Sequence, residues 1–423
     1  MRVQLWSYNY DPEPQGIAPL SAMLAQGLRD LGHDVLVVAA HPHYPEPTWG
    51  VRLRPYRERR DGIPVLRLPL WAGRDSSLAR IRQELTFAAA QASVAPILPP
   101  TDVVIAVTPS FPALGAAMAF ARSRRVPWVM WLQDIVTDGA ATTGELRSSG
   151  PLLQAARSFE RLTYSSAAAV VVISEAFREN LLSKGVSNDK IVRIFNPSSR
   201  HAESPADVAA LLQHPPRVLA MGNIGNSQGL GAMVDAFQAS DALRALEAEF
   251  VIAGSGVAAE EVRARISDPR VQMPGVFYNE ELTPVLRSAT IGLVSQRPDI
   301  SEFNLPSKLM NYMAFGIPVL ASVSPDSETA RIVRESGAGW VTDAADPAQF
   351  ADTVARVARD RIALEQASQA GFRFAREQFA PSSVAARFSD VLSNATGLPD
   401  SHSPSMSFVP GPRSAVSAPQ ETT

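Results

Sequence analysis

A chain of 423 residues with a formal net charge of −3 exerts no overall pull on nucleic acid, so any anionic ligand must be held locally. The length exceeds what one hydrophobic core organises, and 46% hydrophobic with 19% charged residues is ordinary for soluble globular protein, so two domains of similar size are expected. The absence of cysteine excludes disulfides, thiolate metal sites and a cysteine nucleophile, and no uncharged apolar run approaches the ~20 residues of a spanning helix. Because the start runs directly into a strand without a signal-peptide pattern, a cytoplasmic protein is expected.

Apolar runs alternate with helical stretches along the whole chain, a rhythm that implies an α/β protein with parallel sheets. The first unit is a strand at 3–8, a loop at 9–16, a helix at 17–31 and a strand Asp34–Ala40. Gly16 sits where loop becomes helix, where a glycine either lets a ligand approach the backbone or only makes a turn. His41 and His43 follow the second strand, at the end where open α/β sheets bind ligands, but no acidic partner lies near them in sequence to argue for a metal.

Residues 49–82 carry nine arginines against three acids, with Trp49 and Trp71 among them, and the helix expected at 77–95 offers Leu78, Ile81, Leu85 and Phe87. Arginine and tryptophan beside an amphipathic helix could hold an anionic membrane surface. The plainer reading, a solvated loop followed by a core-packed helix, is preferred.

Further strands are expected at Val103–Val107, Trp128–Leu132 and 168–173. The second ends in Gln133 and Asp134, with Asp138 beyond; Asp134 there is a base, an acceptor for a sugar hydroxyl, or a cap on a local turn. Ser174 is an N-cap candidate for the helix that ends near Lys184 and Gly185. After a short strand at 191–195, residues 197–216 are polar and contain prolines, as a linker between domains does.

The second half repeats the rhythm. A strand at 217–221 runs into Gly222-Asn223-Ile224-Gly225-Asn226-Ser227-Gln228-Gly229-Leu230, a glycine-rich turn whose amides could cradle phosphate. Its spacing matches neither the P-loop nor the dinucleotide fingerprint. Strands at 250–253, 271–273 and 290–294 follow, the first ending in Gly254-Ser255-Gly256. Then comes Leu305-Pro306-Ser307-Lys308-Leu309-Met310-Asn311, a loop and a short helix opened by Pro306, stopped by Gly316 and Pro318 before a buried strand. First-turn amides, the helix dipole and the Lys308 charge coincide there, and Asn311, three residues on, shares the Lys308 face. A phosphate at Lys308 would leave Asn311 facing the attached sugar; an ordinary helix with a solvated lysine is the alternative. A strand at 339–342 and helices over 347–395 complete the fold, and 398–423 is rich in Ser, Pro and Thr, as disordered tails are.

Several stretches taken together resemble a known family: Asn9-Tyr10-x-Pro12-Glu13-x-x-Gly16, Gly32-His33-Asp34-Val35, Tyr44-Pro45, the turn from Gly222 to Leu230, Ala253-Gly254-Ser255-Gly256, and Pro306-Ser307-Lys308-Leu309-x-Asn311. In this order, over about residues 1–395, they are similar to retaining GT-B glycosyltransferases of family 4. The nearest branch builds bacterial exopolysaccharide and O-antigen and includes colanic-acid fucosyltransferase-like proteins.

The resemblance implies two Rossmann-like, doubly wound parallel-sheet domains facing a cleft: an acceptor-binding domain at 1–196, the linker at 197–216, a nucleotide-sugar-binding domain at 217–378, and a helix at 379–397 crossing back. It implies transfer of a sugar from a nucleoside diphosphate to a glycan or polyprenyl-linked acceptor, with no metal or other cofactor. It places Gly16 near the donor phosphate or sugar and Asp134 near the acceptor. Gly225, Gln228, Ser307 and Lys308 would line the diphosphate, with Asn311 at the ribose. His43, Gln133, Gly222, Asn223, Gly254 and Arg297 complete the expected substrate contacts. Much of the family holds the diphosphate with an arginine and a lysine where this chain has Asn223 and Gln228, and its paired glutamates would fall on Phe303 and Asn311; Glu302, one place out of register, is carried with Lys308 and Asp134 as a catalytic candidate. Two alternatives stay open: a nucleotide-sugar 2-epimerase-like isomerase and a non-catalytic nucleotide-sugar-binding protein.

Overall fold

The computed structural model describes residues 1–14, 16–44, 53–73, 76–108, 110–135, 151–198, 200–277, 281–299 and 305–398. The chain forms two sheets. The first contains β1 (Arg2–Ser7), β2 (Asp34–Ala40), β3 (Tyr56–Arg60), β4 (Ile63–Leu68), β5 (Val103–Val107), β6 (Trp128–Leu132), β7 (Ala169–Val172) and β8 (Ile191–Arg193), in the order β3-β4-β2-β1-β5-β6-β7-β8. All neighbours are parallel except β3 and β4, a hairpin that forms the outer edge. The apolar runs of β5, β6 and β7 are buried throughout, as strands covered on both faces must be.

The second sheet contains β9 (Arg217–Asn223), β10 (Glu249–Ser255), β11 (Val271–Gly275), β12 (Ile291–Ser295), β13 (Val319–Val323) and β14 (Gly339–Asp343), all parallel, in the order β11-β10-β9-β12-β13-β14. In each sheet the strand order reverses beside its first strand, between β1 and β5 and between β9 and β12. Such a switch point opens a crevice at the carboxyl ends of the strands. Helices cover both faces of the second sheet, and two apolar clusters fill the spaces beneath them.

The helix Pro381–Thr396 returns to the first domain, where Val384, Phe388, Val391 and Leu392 join the first core and Phe388 meets the edge of Trp131 at 5.1 Å. Gly27 permits this crossing: a Cβ there would lie 2.5 Å from that of Ala385. The segment after β8 packs closely as well, since the Ser198 amide donates to the Phe379 carbonyl and the Ala202 amide to that of Ala314, at 2.8 and 3.1 Å.

Residues 49–82 depart from expectation. Where a solvated loop was preferred, β3 and β4 add a hairpin to the sheet. Arg67 is fully buried in β4, donating from Nε to Glu58 Oε1 at 2.7 Å, from Nη1 to the Ala40 carbonyl at 3.1 Å and from Nη2 to that of Asp11. An arginine whose donors all find acceptors can be buried, so a count of charges hid a strand. The helix Ser77–Val94 is where it was expected but turned otherwise: Gln83, Phe87, Gln91 and Val94 are buried, while Leu78, Ile81 and Leu85 face outward. Of the four apolar contacts expected from this helix, only Phe87 is made.

Trp49 and the tail beyond Leu398 lie outside the described residues.

Candidate active site

The helix Ser307–Ala314 is fixed by one side chain. Tyr312 is fully buried, donates to the Leu219 carbonyl at 2.8 Å and accepts from the Met221 amide at 3.0 Å, which ties the helix to β9. Burial pushes its hydroxyl pKa far above the ordinary value, so it stays a neutral structural donor. Gly292 of β12 makes room, since a Cβ there would fall 2.5 Å from the Tyr312 ring. The helix therefore starts at the switch point between β9 and β12, and Pro306 opens it without a side-chain cap on its first turn.

Three cavities meet around this start. One of about 210 Å³ is lined by Gly222, Asn223 and Gln228, by Ser295 and Gln296, and by Pro306, Ser307 and Lys308. A second, about 490 Å³, shares Ser307 and crosses to the first domain, adding Asn311, Gly16, Gln133, Asn196 and Ser198. The third, about 270 Å³, shares Gly222 and Asn223 and is walled by Gly254, Ser255, Val276, Phe277 and Leu282. Eight of the expected residues, Gly16, Gln133, Gly222, Asn223, Gln228, Gly254, Ser307 and Asn311, thus stand with Lys308 along one continuous groove.

Backbone forms much of the second-domain wall. Beyond their apolar portions β9 and β10 keep pairing, Gly222 opposite Gly254 and Asn223 opposite Ser255. A Cβ on Gly254 would lie 1.8 Å from the Gly222 carbonyl oxygen, so only glycine fits there. Lys308 Nζ donates to Gln228 Oε1 at 2.8 Å, and Gln228 Nε2 donates to the Asn223 carbonyl. The ammonium is thereby held over the glycine-rich turn. Arg297 is turned away from it: its amide donates to the Ser227 carbonyl at 2.8 Å, its guanidinium pairs with Asp299 at 2.9 Å, and together with Gly225 it lines a separate pocket behind the turn.

The first-domain wall is made of side chains. Gly16 is the N-cap of the helix Ile17–Asp30 with φ 66° and ψ −136°, a conformation for glycine, and the position of its absent Cβ is open space. Gln133 and Asn196 exchange two side-chain hydrogen bonds of 2.7 and 2.8 Å, while the Gln133 and Asp134 amides both donate to Thr108 Oγ1. Asp134 is exposed to solvent, yet desolvation by the protein around it raises its pKa despite a backbone hydrogen bond from Ile135. It does not line the cavity that Gly16 and Gln133 share.

His43 has the acidic partner that its sequence neighbourhood lacked. Buried Glu13 lies 3.2 Å from His43 Nδ1 and accepts from the His43 and Tyr44 amides at 2.7 and 2.9 Å and from Asn9 Nδ2 at 2.7 Å. Glu13 thus ties the loop after β1 to the loop after β2. Ser295 and Gln296 were not anticipated, being ordinary polar residues at a strand end; only the strand order makes them cavity walls. Glu302, Phe303 and Asp138 lie outside the described residues.

Two facing Rossmann-like domains with a groove at both switch points define the GT-B fold. The chain belongs to the family-4-like glycosyltransferases: residues 15–197 match the glycosyl transferase 4-like domain and residues 215–360 the glycosyl transferases group 1. It is 28% identical over 339 residues to an Escherichia coli K12 protein assigned as a colanic acid biosynthesis glycosyl transferase, WcaI, covering 75% of this chain and 82% of that one. It is 25% identical over 253 residues to the Pseudomonas aeruginosa glycosyltransferase WbjE, covering 57% of this chain and 61% of that one. Among solved structures, Anabaena HepE in complex with UDP and glucose shares the fold at a TM-score of 0.59 and 16% identity, over 93% of this chain and 99% of that one. Sucrose-phosphate synthase from Thermosynechococcus elongatus does so at 0.64 and 17%, over 92% and 98%.

Proposed function

We propose that this glycosyltransferase takes a sugar from a nucleoside-diphosphate donor held on the second-domain wall and passes it, with retention of configuration, to a glycan or polyprenyl-linked acceptor on the first. The product belongs to a cell-surface polysaccharide. The observation that carries the reading is the start of the helix Ser307–Ala314: an uncapped first turn and the Lys308 ammonium lie between the cavity walled by Gly254 and Phe277 and the one that crosses to Gly16. A base in the former, the diphosphate at Lys308 and the sugar beside Asn311 and Gly16 fit this order. The names of the colanic acid and UDP-complexed relatives support it.

Breaking the sugar–phosphate bond develops negative charge on the departing diphosphate. A cation and backbone amides fixed at that place stabilise the transition state more than the substrate. Lys308 is held by Gln228, and on binding exchanges this neutral acceptor for phosphate oxygens, a charge-assisted contact. Asp134, on the opposite domain, takes the part of acceptor base or hydroxyl anchor. No step calls for a metal.

A panel of UDP-, GDP- and dTDP-sugars scored by thermal shift identifies the donor, since a ligand of the folded state raises the melting temperature. Release of nucleoside diphosphate that depends on an added acceptor is then the expected result. Isomerised nucleotide sugar without acceptor would overturn the transfer reading.

A further inference from the structure

The helix Ser77–Val94 is built inside out. Its buried face begins with Gln83, whose Nε2 donates to the Tyr8 hydroxyl at 2.5 Å, and continues through Phe87 and Gln91. Its outward face carries Leu78, Ile81 and Leu85, exposed to 78%, 52% and 54%, at spacings of three and four that set them in one row. Trp71, 63% exposed, stands in the loop before the helix and stacks under the Arg82 guanidinium at 4.7 Å. That loop is tied down, because the Trp71 amide donates to Thr86 Oγ1 at 3.0 Å and the Gly73 amide to Gln83 Oε1 at 2.8 Å.

Position and charge decide what such a surface meets. The loop follows β4, which runs parallel to β2 and β1, so Trp71 and Leu78 stand at the same edge of the sheet as Gly16 and His43, where the groove opens. Arg54 and Arg57 are exposed at the part of the hairpin that pairs with the end of β4, and Arg80 and Arg82 on the helix itself, in a chain whose net charge is −3. Three aliphatic side chains and a tryptophan among exposed arginines suit the headgroup and acyl boundary of an anionic bilayer, where the apolar row enters and guanidinium groups meet phosphates.

We propose that Trp71, Leu78, Ile81 and Leu85 form the surface by which this protein seats on an anionic membrane, with the first-domain rim of its groove turned to the lipid. The proposal rests on the lipid-linked acceptor reading for its purpose but not for its test. The full chain, without donor or acceptor, is sedimented with vesicles of phosphatidylcholine alone and of phosphatidylcholine with phosphatidylglycerol. Binding to the anionic vesicles that weakens with salt is expected, and the variant Leu78→Ser/Ile81→Ser/Leu85→Ser should lose roughly tenfold or more of it. Because these side chains are exposed, the variant should keep its melting temperature and its donor-induced thermal shift. Wild-type sedimentation by the triple variant overturns the proposal, as does equal binding to both vesicle types. Light scattering covers the other occupant: a dimer that the triple variant dissolves, with no vesicle binding by either form, assigns the face to a second copy and also overturns it. Vesicle binding by the wild-type chain without transfer to any lipid-linked acceptor would refute the acceptor reading and leave this surface standing.

Discussion

The two walls of the groove are built differently. On the second-domain side, Gly222, Gly254 and the first turn of the helix Ser307–Ala314 present main chain, and Lys308 is the cation in the cavity between them. On the first-domain side, polar side chains engage one another: Gln133 and Asn196 line the cavity and exchange two hydrogen bonds. Main-chain amides recognise what every nucleoside diphosphate shares, whereas side-chain pairs can be exchanged one by one without disturbing a strand. On the proposed reading the second-domain wall acts as a generic diphosphate clamp, and the first-domain wall is where individuality resides.

If that division is right, the largest single loss should come from Lys308. A charge-assisted contact that strengthens as the leaving group departs is worth about 2 to 4 kcal/mol, so Lys308→Ala should lower kcat/KM by roughly 30-fold to 1000-fold. The melting temperature should hold, since the Lys308 ammonium bonds a side chain of the glycine-rich turn and not a buried group of the core. Lys308→Arg should recover part of the rate, a planar guanidinium being a poor copy of a compact ammonium. Steady-state kinetics with melting curves decide it; wild-type efficiency in Lys308→Ala would place the diphosphate elsewhere.

Asp134, which follows Gln133 beyond the end of β6, tests the other domain. Asp134→Asn should leave the donor dissociation constant within a few-fold and lower transfer by roughly 10². The pH profile sharpens this. Desolvation raises the Asp134 pKa, so a reaction needing its ionised form should fade on acidification at a pH above the usual carboxylate value of about 3.9. The substitution should abolish that acid limb. Equal losses in donor binding and turnover would mean that the walls do not divide the work.

A smaller effect belongs to the contact that holds the walls together. Glu328, at the start of the helix Glu328–Ser336, is buried and accepts from the Glu175 amide at 3.0 Å, at the N-terminus of the helix Glu175–Ser183 in the other domain. Arg331 pairs with Glu179 at 3.0 Å and Arg193 with Glu335 at 2.8 Å beside it. Glu328→Ala removes the acceptor of the partly buried Glu175 amide and should cost about 1 to 3 kcal/mol in denaturant unfolding, whereas Glu328→Gln keeps an acceptor and should cost less. Burial raises the Glu328 pKa, outweighing the hydrogen bonds and arginines that lower it. The native state then holds this proton more tightly than the unfolded chain. That contribution to stability is present below the unfolded pKa and is lost as pH rises through the folded one, and Glu328→Gln should flatten stability in that window. The smallest expected effect is that of EDTA: if amides and Lys308 supply the charge, chelation should leave initial rates unchanged, and a rate restored only by Mg²⁺ or Mn²⁺ would break the clamp description.

The sequence alone determined the parts that depend on neighbours along the chain. Strands such as Asp34–Ala40, Val103–Val107 and Trp128–Leu132 were legible because apolar runs of that length bounded by turn residues have one good solution, and Pro306 and Gly316 marked the ends of the helix between them. The order of motifs named the family, and with it most of the residues found along the groove. What tertiary structure alone decided lies where a residue's role is set by a distant partner. Arg67 reads as surface charge until Glu58 and the Ala40 and Asp11 carbonyls surround it, and His43 lacks an acid until the fold brings Glu13 to it across thirty residues. Ser295 becomes a cavity wall only because β12 lies beside β9. The outward row of Leu78, Ile81 and Leu85 is the sharpest instance: periodicity shows that one face of a helix is apolar, but which face meets the core depends on what that core offers, and here it offers Tyr8 to Gln83.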